Sequence, residues 1–138
     1  MEHHYDYVLH EKVWMPQSVK KQAMRLQRKL SKKYFTQHLY EHLTNKDSKH
    51  DYTLQDIKNV VYKISKNPIS PFEVGIVEDE FGKFLVKKYC VRTNLNKQND
   101  ISIVLSNKGR IITAWINDVR DIHYTLDRSK YYNPNERN

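Results

Sequence analysis

The chain changes period at Asn67-Pro68-Ile69-Ser70-Pro71. Proline lacks an N–H and disfavours helical backbone in the residue before it, so a helix cannot run through this stretch. Before the break the apolar residues recur at helical spacing; after it they tend to alternate. Helical segments followed by a run of strands make an α+β architecture, with N-terminal helices packed on a mainly antiparallel sheet of four to five strands. The sequence predicts one domain over residues 1–138. Its parts are an N-terminal extension at 1–17, a helical part at 18–66 and a sheet part at 72–132.

In the first part, Tyr5, Tyr7, Val8 and Leu9 suit an extended edge segment, and Ser18 after Pro16 is a candidate N-cap. From Val19 a helix is predicted. At 100° per residue Val19, Ala23, Leu26, Leu30 and Tyr34 fall within about 80° of one another. Lys21, Arg25, Arg28, Lys29, Lys32 and Lys33 lie on the opposite side. The phase slips after Phe35, which predicts a kink or a new short helix near Thr36 that ends about Thr44–Asn45. Thr53, with an acid at Asp56, resembles a capping box. It opens a second helix whose apolar face is Leu54, Ile57, Val60, Val61 and Ile64.

Beyond Pro71 the predicted strands are Phe72–Glu78, Phe84–Thr93, Ile101–Ser106 and Arg110–Ile116. A short fifth extended piece is expected over Ile122–Leu126. Asp79–Lys83 and Asn107-Lys108-Gly109 supply the turns, the second with a glycine able to take positive φ. Trp115, between Ala114 and Ile116, is expected to pack in the core rather than stack on a ligand.

Net charge is +8, and it is localised. Eight basic residues between Lys12 and Lys33 have no acid among them, and the remaining 16 basic residues equal the 16 acidic ones in number. The whole excess therefore sits in one segment. Lys20, Lys21, Arg25, Arg28, Lys29, Lys32 and Lys33 are candidates for salt-sensitive contacts to phosphate groups. A solvated helix face would use the same residues. One cysteine, Cys90, excludes an internal disulfide framework and a multi-thiolate zinc site. No apolar run approaches a membrane span, and the N-terminus lacks the basic start and apolar stretch of a signal peptide. A cytoplasmic protein, in a bacterial or phage-infected cell, is the expectation.

The candidate chemistry lies in Asn117–Tyr132. His123 and Thr125 would share a face of an extended segment. RNA cleavage by 2′-OH attack needs a base, an acid and a cation against the transition-state phosphorus oxygens, and no metal or other cofactor. His123 can move protons near neutral pH. Arg92 or Lys88, four residues apart on one strand face, could hold the oxygens, and Tyr131 or Tyr132 could stack a base. Asp118, Asp121 and His123 also form a D-x-x-D-x-H pattern. A hydrated Asp turn explains it as well as a metal does.

These features resemble the metal-independent RNase group that joins barnase, EndoU, the tRNA-cleaving colicins and RelE, the BECR fold, particularly its phage and toxin members. The resemblance rests on the basic helix SVKKQAMRLQRKLSKKY, Lys88 and Arg92 on a strand, the hairpin ISIVLSNKGRIITAW, then Asn117, Asp121, His123-x-Thr125 and Tyr131. It implies helices against an antiparallel sheet and RNA cleavage by transesterification. Arg92, Lys88, His123, Thr125 and Tyr131 would form the site, with RNA as partner and an immunity or other partner protein as a further one. The leading helix carries no histidine at its start: His10 precedes Pro16 and His38 follows the phase slip. A relative that binds RNA or an acidic partner without cutting is the alternative.

Overall fold

A computed structural model of the chain describes residues 5–11, 14–30 and 52–121. The described elements are β1 (Tyr5–His10), α1 (Gln17–Arg28), α2 (Leu54–Lys66), β2 (Glu73–Glu78), β3 (Phe84–Asn94), β4 (Asn99–Ser106) and β5 (Ile111–Asp118). The five strands form one sheet in chain order, with every neighbouring pair antiparallel. The α+β class is as expected, but the helices do not come first. β1 precedes them and pairs with β2 from Tyr5↔Glu78 to His10↔Glu73, so the fifth described strand comes from this N-terminal segment. Ile122–Leu126 and the predicted break near Thr36 lie outside the described residues.

The two helices are held by different means. In α2 the capping box is complete: the Thr53 N–H donates to Asp56 Oδ2 at 2.8 Å and the Asp56 N–H to Thr53 Oγ1 at 3.1 Å. Ile57, Val60, Val61 and Ile64 are buried, and the chain leaves the helix at Asn67. The buried Tyr52 hydroxyl donates to the Ala114 carbonyl at 3.0 Å and fastens the start of α2 to β5. In α1 the cap is Pro16 rather than Ser18. Pro16 is extended, and its carbonyl accepts from the N–H groups of Val19 and Lys20 at 3.1 and 3.2 Å. Ser18 therefore falls inside the first turn. Val19 and Ala23 are buried as predicted, and so is Gln27.

Gln27 has no exposed surface, yet its amide is fully used. Nε2 donates to the carbonyls of Ile69 (2.7 Å) and Ala23 (3.3 Å), and Oε1 accepts from the Ile69 N–H (2.8 Å). This joins α1 to the segment between α2 and β2. Gln22 does similar work at the sheet. It donates to the Phe84 carbonyl at 2.9 Å and accepts from the Val86 N–H at 3.2 Å. β4 pairs with β3 only from Lys88 onward, so the start of β3 has an edge that β4 leaves open. Gln22 and Asn107, whose side chain donates to the Val86 carbonyl at 3.1 Å, satisfy that edge.

Register divides the sheet into two faces. Leu9, Val74, Ile76, Val86, Tyr89, Val91, Ile101, Ile103, Leu105, Ile111 and Ala114 form one core with the helices. Lys88, Cys90 and Arg92 lie on the other face, opposite Ser106, Val104 and Ser102 of β4. Trp115 pairs with Ser102 and belongs to this second face, 37% exposed, which corrects the expectation of core packing. Its neighbour Ala114 faces the helices, and alternation sends Trp115 the other way. No helix of the described residues is long and apolar enough to cross a membrane.

Candidate functional site

Arg92 is the best-fixed cation on the face away from the helices. Its Nε donates to Asp100 Oδ2 at 2.9 Å, and Nη2 donates to the Asp118 carbonyl at 2.9 Å. Both partners of this ion pair are largely shielded, at 16% and 20% side-chain exposure, so solvent screens it less than a surface pair. Asp100 is held in turn: its Oδ1 accepts from Asn94 Nδ2 at 3.2 Å. One diagonal step away, Ser102 donates to Asn117 Oδ1 at 2.6 Å. Register alone builds this patch, because Arg92 pairs with Ser102 and Asn94 with Asp100, while Ser102 and Asp100 pair with Trp115 and Asn117. The guanidinium keeps N–H groups beyond the two that are engaged.

Lys88 shares the face, as the spacing predicted. It lies four strand steps from Arg92, about 13 Å along the chain. The two cations are therefore separate binding points on the strand, with Cys90 between them. A β-bulge lies at Gly75/Ile76, where β2 pairs with this part of β3. A Cβ at Gly75 would come 2.9 Å from Lys88 Cγ, so the glycine makes room for the lysine stem. Lys88 forms no hydrogen bond or ion pair among the described residues. Cys90 is buried, and burial first and the nearby Glu73 charge second push its thiol pKa up, which keeps it protonated.

The Asp pattern resolves into a turn. Asp118 Oδ1 accepts from the Arg120 N–H at 2.8 Å and from Nε at 3.0 Å, while Oδ2 accepts from Nη2 at 3.1 Å. The side-chain and backbone hydrogen bonds from Arg120 hold the Asp118 carboxyl at about 2, and the same pairing raises the Arg120 pKa. The Asp121 N–H closes the turn on the Asp118 carbonyl at 2.9 Å. The first acid of the proposed D-x-x-D-x-H cluster thus already neutralises a cation. His123, Thr125, Tyr131 and Tyr132 lie outside the described residues, as do Lys32 and Lys33.

Along α1 the basic residues are not equivalent. Lys20 is paired with Glu11 at 3.3 Å. Lys21, Arg25, Arg28 and Lys29 are exposed and make no ion pair among the described residues. Lys21 and Arg25 line a cavity of about 640 Å³ together with Lys83, Phe84 and Leu85. Lys83 carries no periodic signal in the sequence. It comes to α1 only because the β2–β3 turn folds back beside that helix. No protein-family model, curated protein or solved structure matches the chain.

Proposed function

We propose that this chain is a metal-independent endoribonuclease of the toxin or phage type, cleaving RNA by attack of the 2′-OH on the adjacent phosphorus. The observation that carries this reading is the two-point fixation of Arg92. Its bond to the Asp118 carbonyl ties the cation to the backbone five residues before His123. A guanidinium held in place before substrate arrives needs little reorganisation when negative charge develops on the phosphorus oxygens. Its free N–H groups would bind those oxygens. His123 would take the 2′-OH proton and return a proton to the departing 5′-oxygen, with Thr125 beside it as hydrogen-bond donor. Lys88, about 13 Å away along the strand, would hold a phosphate about two nucleotides along. Trp115, exposed on the same face, and Tyr131 would offer surfaces for bases.

Bulk tRNA or mRNA incubated with the protein in EDTA tests the reading. New 2′,3′-cyclic phosphate ends with the wild type, and their loss in His123→Ala, are the expected result. Intact RNA across a range of pH would overturn it. The second reading is a module that binds RNA or an acidic partner without turnover. The unpaired cations of α1 favour it, because they need no catalytic residue to attract a polyanion. It predicts salt-dependent binding with no new RNA ends.

A further inference from the structure

Two cations of α1 and the lysine at its C-cap form a track that the rest of the ridge does not share. Lys21, Arg25 and the C-cap Lys29 follow one another at intervals of four residues, a rise of ~6 Å per helical step, and the cavities beside them, not the helical wheel, set them apart from Arg28. That rise is comparable with one nucleotide of extended backbone. Two adjoining cavities open beside this row. The first, about 640 Å³, is lined by Lys21 and Arg25, with Lys83 and Leu85 opposite. The second, about 250 Å³, is lined by Arg25 and Lys29, again with Leu85. Arg25 and Leu85 belong to both. Arg28, equally exposed and equally basic, lines neither.

The lining is cationic on one side, at Lys21, Arg25 and Lys29, and apolar on the other, at Leu85. Among the described residues the only carboxylate in either cavity is Asp79. Its Oδ1 already accepts from the Phe81 and Lys83 N–H groups, at 2.9 and 2.8 Å. Leu85 is 54% exposed and gives the floor an apolar surface. Gln22 and Asn107 satisfy the β3 backbone beside it, so that edge is not open to an added strand.

We infer that the groove between α1 and the start of β3 binds single-stranded RNA. Successive phosphates sit at Lys21, Arg25 and Lys29, and an unstacked base lies against Leu85 in the larger cavity. This inference rests on the RNA reading above and places the grip on the strand away from Arg92. A base-paired duplex cannot place a base on Leu85, so the site discriminates by strandedness.

Fluorescence anisotropy with labelled 2′-O-methyl oligouridylate tests it, because that probe cannot undergo 2′-OH attack. Arg25→Glu should lower affinity roughly tenfold or more, and Arg28→Glu, the same change of charge on the same helix, by about twofold or less. Leu85→Ser should weaken single-strand binding with no change of charge, and a duplex of equal length should bind less tightly than the single strand. The charge-preserving Arg25→Lys should recover most of the affinity and guards against a folding defect. Equal losses at Arg25 and Arg28, or equal affinity for duplex and single strand, would overturn the track. Cleavage of RNA by a wild type whose affinity is insensitive to Arg25→Glu would sink the track and leave the nuclease reading standing. A wild type that neither binds nor cuts RNA would remove both.

Discussion

α1 and α2 are neighbouring amphipathic helices of similar length, yet they are built on different principles. α2 is a core helix: a capping box starts it, and Ile57, Val60, Val61 and Ile64 bury one full side. α1 buries only Val19 and Ala23 among its apolar residues, and gains the rest of its attachment from the amides of Gln22 and Gln27. The two amides fasten α1 at its buried side, and its exposed residues, Gln17, Ser18, Lys21, Arg25 and Arg28, share the opposite side. That exposed surface is where the cations sit. Both helices expose one side: on α1 it carries Lys21, Arg25 and Arg28, and on α2 it carries Gln55, Asn59, Tyr62, Lys63 and Lys66.

The comparison can be broken at several points. The largest expected effect is in α2. Ile64→Ala removes a fully buried side chain and should cost about 2–5 kcal/mol in chemical denaturation. A cost under about 1 kcal/mol would mean that α2 is not the core helix described here. Next comes Gln27→Leu, which keeps the bulk but leaves the half-buried Ile69 N–H and carbonyl without their partner. It should cost about 2–3 kcal/mol. If leucine is tolerated, the amide fastening of α1 is incidental.

A smaller effect of opposite sign is expected at Tyr89. Its buried hydroxyl has no hydrogen-bond partner among the described residues, and burial pushes its pKa up. Tyr89→Phe should be neutral or stabilising by up to ~1 kcal/mol in thermal melts, and a clear loss would reveal a partner for the phenol. The smallest effect concerns the turn after β5. The Asp118 carboxyl is held at about 2 by Arg120. A folded pKa below the ordinary carboxylate range means that Asp118 supports the turn above that range and loses this support as pH falls through about 2. NMR titration of the carboxyl carbon should show the low midpoint, and Arg120→Ala should return it toward the ordinary range.

The same contrast explains what could be read from the sequence. α2, the four strands after Pro71 and the Gly109 turn carry strong local signals, namely a capping pair, a period and a glycine at φ 81°. The α1 fasteners carry none, since a buried glutamine looks like a surface residue until Ile69 and Phe84 are brought to it. Trp115 sat in an apolar run, and only the pairing with Ser102 showed that it faces away from the core. At the site, the four-residue spacing placed Lys88 and Arg92 on one face. The pairing of Arg92 with Asp100 was invisible because it depends on the β3–β4 register. Lys83 belongs to the α1 groove through a turn, a relation that no helical wheel contains.

The proposed division of labour between the α1 groove and the Arg92 site can be measured directly at Arg92. With RNA in EDTA at saturating concentration, Arg92→Ala should slow formation of cyclic phosphate ends by about 100-fold or more. Arg92→Lys should recover only part of the rate, because it keeps the charge and loses the fork. Affinity for the 2′-O-methyl probe should stay within about threefold of the wild type if, as proposed, the α1 groove supplies the counterion-releasing contacts. A folded Arg92→Ala protein that cuts RNA at the wild-type rate, or a wild type that forms no cyclic phosphate ends, would contradict the account.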